Sequence, residues 1–300
     1  MRTLTIAALQ GAPVQLDPDA TLEQFESDVR AVRETFEEVD LVLLPEVHLS
    51  AAGHVLREPA DYAKRVAVEI PGPLTERLGA LARETGLWLV PGSVYERDGD
   101  SVRNTAVVLS PTGELVSVYR KCFPWSPYET CAPGSELVTF DIPRVGRIGL
   151  AICYDGAFPE LPRQLAGWGA ELMLQPMLTQ TADRDGELAV ARATAIQNQM
   201  AVVNLNAASP AGGGRSVVVD AEGVVRYEAG AGEEVIVDVI DLDAVARARE
   251  RGSYGMNRLW AQWDEQAGGL DLPMYGELRP RPAGDRAGGN GAVRPKEVEA

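Results

Sequence analysis

The run Leu41-Val42-Leu43-Leu44, closed by Pro45 and followed at once by Glu46, constrains the fold more than any other stretch of the chain. Four consecutive apolar residues offer water no polar face. They suit a strand covered on both sides, and a proline, which lacks a backbone donor, ends it. Such a strand needs helices to cover it. Upstream, Asp17-Pro18-Asp19 is a helix start signal, and Leu22, Phe25, Val29, Val32 and Phe36 recur at steps of three and four.

The same alternation continues. Residues 4–9 form an apolar strand; Leu74, Leu78 and Leu81 mark a helix face stopped by Gly86; residues 88–94 read as a strand. Pro111-Thr112-Gly113 joins residues 104–110 and 114–120 in a hairpin. Residues 145–152, 172–174 and 201–205 read as strands, with helices over 158–168 and 184–199 between them. A second hairpin pairs 216–219 with 224–227, and 234–240 is a further strand. Residues 47–73 and 122–135 read as loops, the first with local helical turns. Mixed strands, hairpins and helices predict an α/β layered domain over residues 1–279. Residues 280–300, rich in Pro, Gly and Arg, are expected to be a disordered or peripheral tail.

Charge and cysteine usage exclude several functions. Lys plus Arg number 28 against 44 for Asp plus Glu, a formal charge of −16. Such a surface repels a phosphate backbone, so no nucleic-acid partner is expected. No run nears the 18 apolar residues of a membrane span, and the first residues lack the apolar core of a signal peptide. The three cysteines make an odd set without paired spacing, which predicts a reducing, cytoplasmic setting and no metal site.

The chemistry is sought among polar residues at strand ends. Cys153 follows the apolar strand and precedes the helix expected near Phe158; a thiol facing helix N–H groups is stabilised as thiolate. A buried structural cysteine is the commoner fate. Glu46 ends a buried strand, where desolvation raises a carboxyl pKa toward that of a base; a solvated strand-end acid is equally compatible. Lys121 ends the second strand of the hairpin, where a surface charge is the plain alternative. Glu129 lies in the proline-rich loop beyond it. The only histidines are His48 and His54, each most simply a hydrogen-bonded loop residue.

Taken together, Leu43-Leu44-Pro45-Glu46, Tyr119-Arg120-Lys121 and Ile148-Gly149-Leu150-Ala151-Ile152-Cys153-Tyr154-Asp155 resemble the three signature blocks of the nitrilase (carbon–nitrogen hydrolase) superfamily, in its order and spacing. The resemblance covers about residues 3–245. It implies an αββα sandwich that pairs into αββααββα across a homodimer or higher homo-oligomer. It also implies a small-molecule amide as substrate, and no cofactor or metal. Glu46 would be the general base and Cys153 the nucleophile. Lys121, helped by the Tyr154 N–H, would hold the oxyanion, and Glu129 would orient substrate and water.

The loop with Pro124-Trp125 is similar to that of aliphatic amidases and formamidases, and Tyr154-Asp155 departs from the Trp-Glu usual in nitrilases. Those amidases carry Tyr after the first glutamate, where this chain has Val47. Val47, Trp125 and Tyr154 are therefore expected to border the substrate, and amides larger than acetamide to be preferred. Hydrolysis of an N-carbamoyl group or a nitrile on the same residues is the close rival. A catalytically dead binding protein on this fold, or a thiol-redox protein using Cys122 and Cys131, would belong to other classes.

Overall fold

Period-two alternation along buried strands builds the molecule in four layers. In β1 (Thr3–Gln10), Leu4, Ile6 and Ala8 face one core while Ala7 and Leu9 face another. In β2 (Leu41–Leu43), Leu41 and Leu43 share the first core and Val42 the second. A strand buried on both faces needs a partner layer on each side, as the run around Leu41 predicts. The computed structural model describes residues 1–53, 61–253 and 255–266. His54 and the tail expected from residue 280 lie outside them.

The first layer is helical. In α1 (Pro18–Thr35), Asp17 caps the N-terminus by accepting from the Ala20 N–H at 3.0 Å, and Leu22, Phe25, Val29 and Val32 are buried. The short α2 (Tyr62–Val66) follows, then α3 (Pro73–Thr85), which ends at Gly86 with φ +68°. Leu78 and Leu81 of α3 join the α1 face against the first sheet.

That sheet also contains β3 (Trp88–Val90), β4 (Ser93–Asp98), β5 (Ser101–Leu109) and β6 (Leu115–Arg120). Its order is β13-β1-β2-β3-β5-β4, with β6 also on β5 and β1, β2 and β3 parallel. The single strand expected over 88–94 is two strands broken at Pro91-Gly92. Gly92 has φ +70°, and a Cβ there would lie 1.7 Å from the Pro45 carbonyl oxygen. Only glycine lets the chain turn this close to the residue before Glu46.

The second sheet runs β12-β11-β10-β9-β8-β7. It comprises β7 (Thr139–Ile142), β8 (Gly146–Leu150), β9 (Leu172–Met177), β10 (Ala201–Asn206), β11 (Val217–Val219) and β12 (Val225–Glu228). Ile148, Leu150, Leu172, Leu174, Val203 and Leu205 meet the first sheet in the shared core. Each such fully buried side chain contributes about 1.5–3 kcal/mol. On the outer face, α4 (Glu160–Gly167) and α5 (Arg184–Asn198) pack Leu161, Leu165, Ala191 and Ala195 onto Met173 and Val202. The chain returns to the first sheet as β13 (Glu234–Asp241), antiparallel to β1, and continues into α6 (Leu242–Arg251) and α7 (Leu259–Gln266). The order of layers is α-β-β-α. Among the described residues no helix is long and apolar enough to cross a membrane.

Candidate active site

Glu46 leaves β2 through Leu44 and Pro45. The Leu44 N–H donates to the Val90 carbonyl at 3.0 Å, and the Glu46 N–H to that of Met177 at 3.3 Å. The acid is thereby tied to both sheets. Lys121 leaves β6 with its N–H donating to Asn104 O at 2.8 Å and its carbonyl accepting from Gly134 N at 2.7 Å. Its side chain is 1% exposed, and its ammonium donates to Glu46 Oε1 at 2.7 Å and Glu129 Oε2 at 2.6 Å.

Glu129 stands on a turn in which its N–H donates to Trp125 O at 2.8 Å, while its carboxylate accepts from the Trp125 N–H at 2.5 Å. Asn104, buried in β5, donates from Nδ2 to Glu46 Oε1 at 2.8 Å and Glu129 Oε1 at 3.1 Å. One ammonium and one amide therefore hold two carboxylates together.

Cys153 opens a 3₁₀ turn, Cys153–Ala157, with φ +47°. This conformation is uncommon for a residue with a side chain and persists only where its surroundings enforce it. Here Gln175 Nε2 donates to the Cys153 carbonyl at 2.8 Å, and Asn204 Nδ2 to Gln175 Oε1 at 3.0 Å. Asp155, fully buried, accepts from the Ile152 N–H at 2.9 Å, the Phe123 N–H at 2.8 Å and the Tyr119 hydroxyl at 2.7 Å. Gly156 is bare because Gln175 occupies its space: a Cβ would lie 2.1 Å from Nε2. The Cys153 thiol lies 4.0 Å from Thr179 Oγ1 and within electrostatic reach of Glu46 and Lys121.

Burial governs the electrostatics. It raises the Glu46 carboxyl, opposed by the charge of Lys121 and reinforced by that of Glu129. For Lys121 burial works against the cation, but its acidic neighbours, Glu46 foremost, prevail and hold its pKa well above the ordinary lysine value. The Cys153 thiol is pushed well above its ordinary value by burial and then by Glu46, against Lys121. The stabilised thiolate expected from helix N–H groups is therefore corrected. The α-helix begins only at Glu160, and burial favours the neutral thiol.

Cys153 opens onto a cavity of about 590 Å³ whose wall includes Trp125, Tyr154, Thr179, Glu187 and Val190. Tyr154 meets Phe158 edge-on at 5.3 Å, and Phe158 stacks on Phe123 at 3.7 Å. The structure thus brings Glu46, Lys121, Glu129 and Cys153 together, with Trp125 and Tyr154 in the adjoining wall. Val47 is elsewhere. Its side chain, 3% exposed, packs with Ala52, Tyr62, Ala67, Tyr95 and Cys131 and is not among those lining the cavity. Its φ of +44° turns the chain after Glu46, and its N–H donates to Ser93 Oγ at 2.9 Å. Sequence reasoning missed Asn104, Gln175, Thr179 and Glu187. The available signal was a polar residue inside an apolar strand, as at Asn104 and Gln175.

The profile of the carbon–nitrogen hydrolase family matches residues 5–250. Human omega-amidase NIT2 is 34% identical over 229 residues, covering 70% of this chain and 80% of its own length. Its zebrafish (Danio rerio) counterpart is 32% identical over 228 residues, with 70% and 79% covered. Among solved structures, Nit3 of Saccharomyces cerevisiae, from branch 10 of the nitrilase superfamily, superposes with a TM-score of 0.75 at 28% identity. That match covers 83% of this chain and 94% of Nit3. An amidase from Nesterenkonia sp. gives 0.71 at 26%, with 82% and 94% covered.

Proposed function

The chain belongs to the carbon–nitrogen hydrolase family and hydrolyses amides, and we propose that it converts a carboxamide to a carboxylic acid and ammonia through a thioester on Cys153. The observation that carries this reading is the group of buried Glu46 and Lys121 with partly buried Glu129 beside the thiol. With both carboxylates ionised the three side chains sum to one negative charge. Ionising the thiol into water would add a second. Passing the proton from Cys153 to Glu46 leaves the total unchanged, which is why a thiol with a raised pKa still serves as nucleophile.

In the first half-reaction the sulphur attacks the amide carbon as Glu46 takes its proton. Negative charge develops on the carbonyl oxygen, where the Lys121 ammonium and the Tyr154 backbone N–H stabilise it. A fixed charge in a dry site contributes a few kcal/mol here. Glu46 then returns the proton to the departing nitrogen, ammonia leaves and the thioester remains. In the second half Glu46 takes a proton from water, the hydroxide displaces sulphur, and the acid is released as the thiol is reprotonated. Glu129, held by Lys121 and Asn104, orients substrate and water.

Ammonia release from a panel of aliphatic amides, N-carbamoyl compounds and nitriles tests the reaction, and intact mass spectrometry of the quenched enzyme tests the intermediate. Amides should dominate the panel, with an acyl adduct on wild type and none on Cys153→Ala. Turnover by Cys153→Ala would overturn the thioester route, and preferred turnover of nitriles or carbamoyl compounds would overturn the substrate class.

A further inference from the structure

The cavity that receives the acyl group carries charge of one sign. Its wall is largely apolar, with Trp125, Met177, Leu178 and Val190, and the only charged side chains among the described residues lining it are Asp183 and Glu187. Glu187 sits near the start of α5, one of its carboxylate oxygens accepting from the Thr179 hydroxyl at 2.9 Å. Thr179 is itself 4.0 Å from the Cys153 sulphur, so two short contacts separate this carboxylate from the nucleophile. The charge of Glu187 is also one of the influences that raise the Cys153 pKa.

This carboxylate is placed rather than loose. Thr179 donates its N–H to Asn206 Oδ1 at 2.8 Å, and Asn206 Nδ2 donates back to the Thr179 carbonyl at 2.9 Å. The other Glu187 oxygen accepts from Arg184 Nη1 at 3.1 Å. Arg184 is 4% exposed, stands behind Glu187 and is absent from the cavity wall; its Nη2 donates to the Arg215 carbonyl at 2.7 Å. A carboxylate has room for about four hydrogen bonds, so Glu187 keeps lone pairs for a ligand.

Resting on the amidase reading above, we propose that Glu187 selects the acyl group: the enzyme prefers amides with an ammonium or other strong donor a few carbons beyond the carbonyl, and rejects those ending in a carboxylate. An ammonium in this cavity meets an oriented carboxylate at low dielectric. A substrate carboxylate meets like charge, with no cation among the described residues lining the cavity to offset it, which is discrimination by repulsion as much as by attraction.

Three amides of similar length separate the cases: 4-aminobutanamide, pentanamide and succinamate, compared by kcat/KM from ammonia release. The expected order is cation, neutral, anion, with at least about tenfold between the first and last. In Glu187→Gln the ratio of cation to anion should fall to within a few fold. The wild-type order tests the inference even if the variant folds poorly. Hydrolysis of pentanamide with no preference between the charged pair, or a ratio unchanged in Glu187→Gln, would overturn the role of Glu187 and leave the amidase reading intact. Preference for succinamate would overturn it too. Ammonia from none of the three amides would overturn the amidase reading itself.

Discussion

Tyr119 donates its hydroxyl to Asp155 across 2.7 Å, joining the strand that leads into Lys121 to the turn that carries Cys153. Asp155 also accepts from the Phe123 N–H, so it grips the chain two residues before Lys121 and two residues after. Neither side chain touches the reacting atoms in the mechanism above. Together they fix the distance between the ammonium and the sulphur.

Tyr119→Phe should therefore act on geometry. It leaves Asp155 buried with two donors, both backbone N–H groups, instead of three, at a cost of about 1–3 kcal/mol in stability. It should also lower kcat by roughly tenfold, because small misplacements at a reacting centre are expensive. Denaturant unfolding and steady-state kinetics measure the two effects. A variant with normal kcat would show that the hydroxyl only stabilises the fold.

Glu46 and Lys121 should separate under substitution. Glu46→Gln keeps a neutral acceptor for Lys121 and Asn104, so the fold should survive while kcat drops by about two to four orders of magnitude. Lys121→Ala should damage both, since it leaves the buried Glu46 and the partly buried Glu129 without their cation, a loss of about 3–5 kcal/mol. Circular-dichroism melts beside kcat decide this. Wild-type melting of Lys121→Ala would mean that the carboxylates share a proton instead of a cation.

The buried His48, 8% exposed, should make the protein sensitive to acid. Burial lowers its pKa to about 4, whereas the unfolded chain takes up the proton near 6.5. Stability from this residue is full above pH 6.5 and is lost progressively as the pH falls toward 4, by about 3 kcal/mol in all. Unfolding free energies across that range should slope downward, and His48→Gln should flatten the slope. An equal slope in the variant would place the acid sensitivity on other groups.

Val47→Tyr tests the position where sequence and structure part. On the family pattern the substitution would shrink the acyl pocket. In the structure Val47 is packed against Tyr62, Tyr95 and Cys131 at positive φ. The larger ring should therefore cost about 1–3 kcal/mol by overpacking and leave the preference among acetamide, butanamide and hexanamide unaltered. A shift of kcat/KM toward acetamide at unchanged melting temperature would restore the pocket assignment.

What the sequence disclosed depended on locality. The strand at Leu41, the helix face of Phe25 and Val29, and the stop at Gly86 are written in short periodic patterns, and each forms where the pattern puts it. Three departures have physical causes. The strand over 88–94 looks continuous because nothing near Gly92 announces the Pro45 carbonyl it must pass. Thr139–Ile142 is too brief to read against its loop. The helix Leu242–Arg251 presents only Leu242, Val245 and Ala248 as an apolar face. Thr179 and Glu187 acquire meaning only when residues far apart in the chain meet, which no local pattern reports.

The hydrogen bond from the Glu46 N–H to Met177 has a consequence for unfolding. Base and ammonium are supplied by one sheet, the nucleophile by the other, and the shared core, with the bonds to Met177 and Asp155, keeps them in register. Each sheet with its own helices is a sandwich half that could outlive the loss of that register. Ammonia release thus works as a gauge of how the halves are seated, and during denaturation it should vanish while most backbone structure still persists.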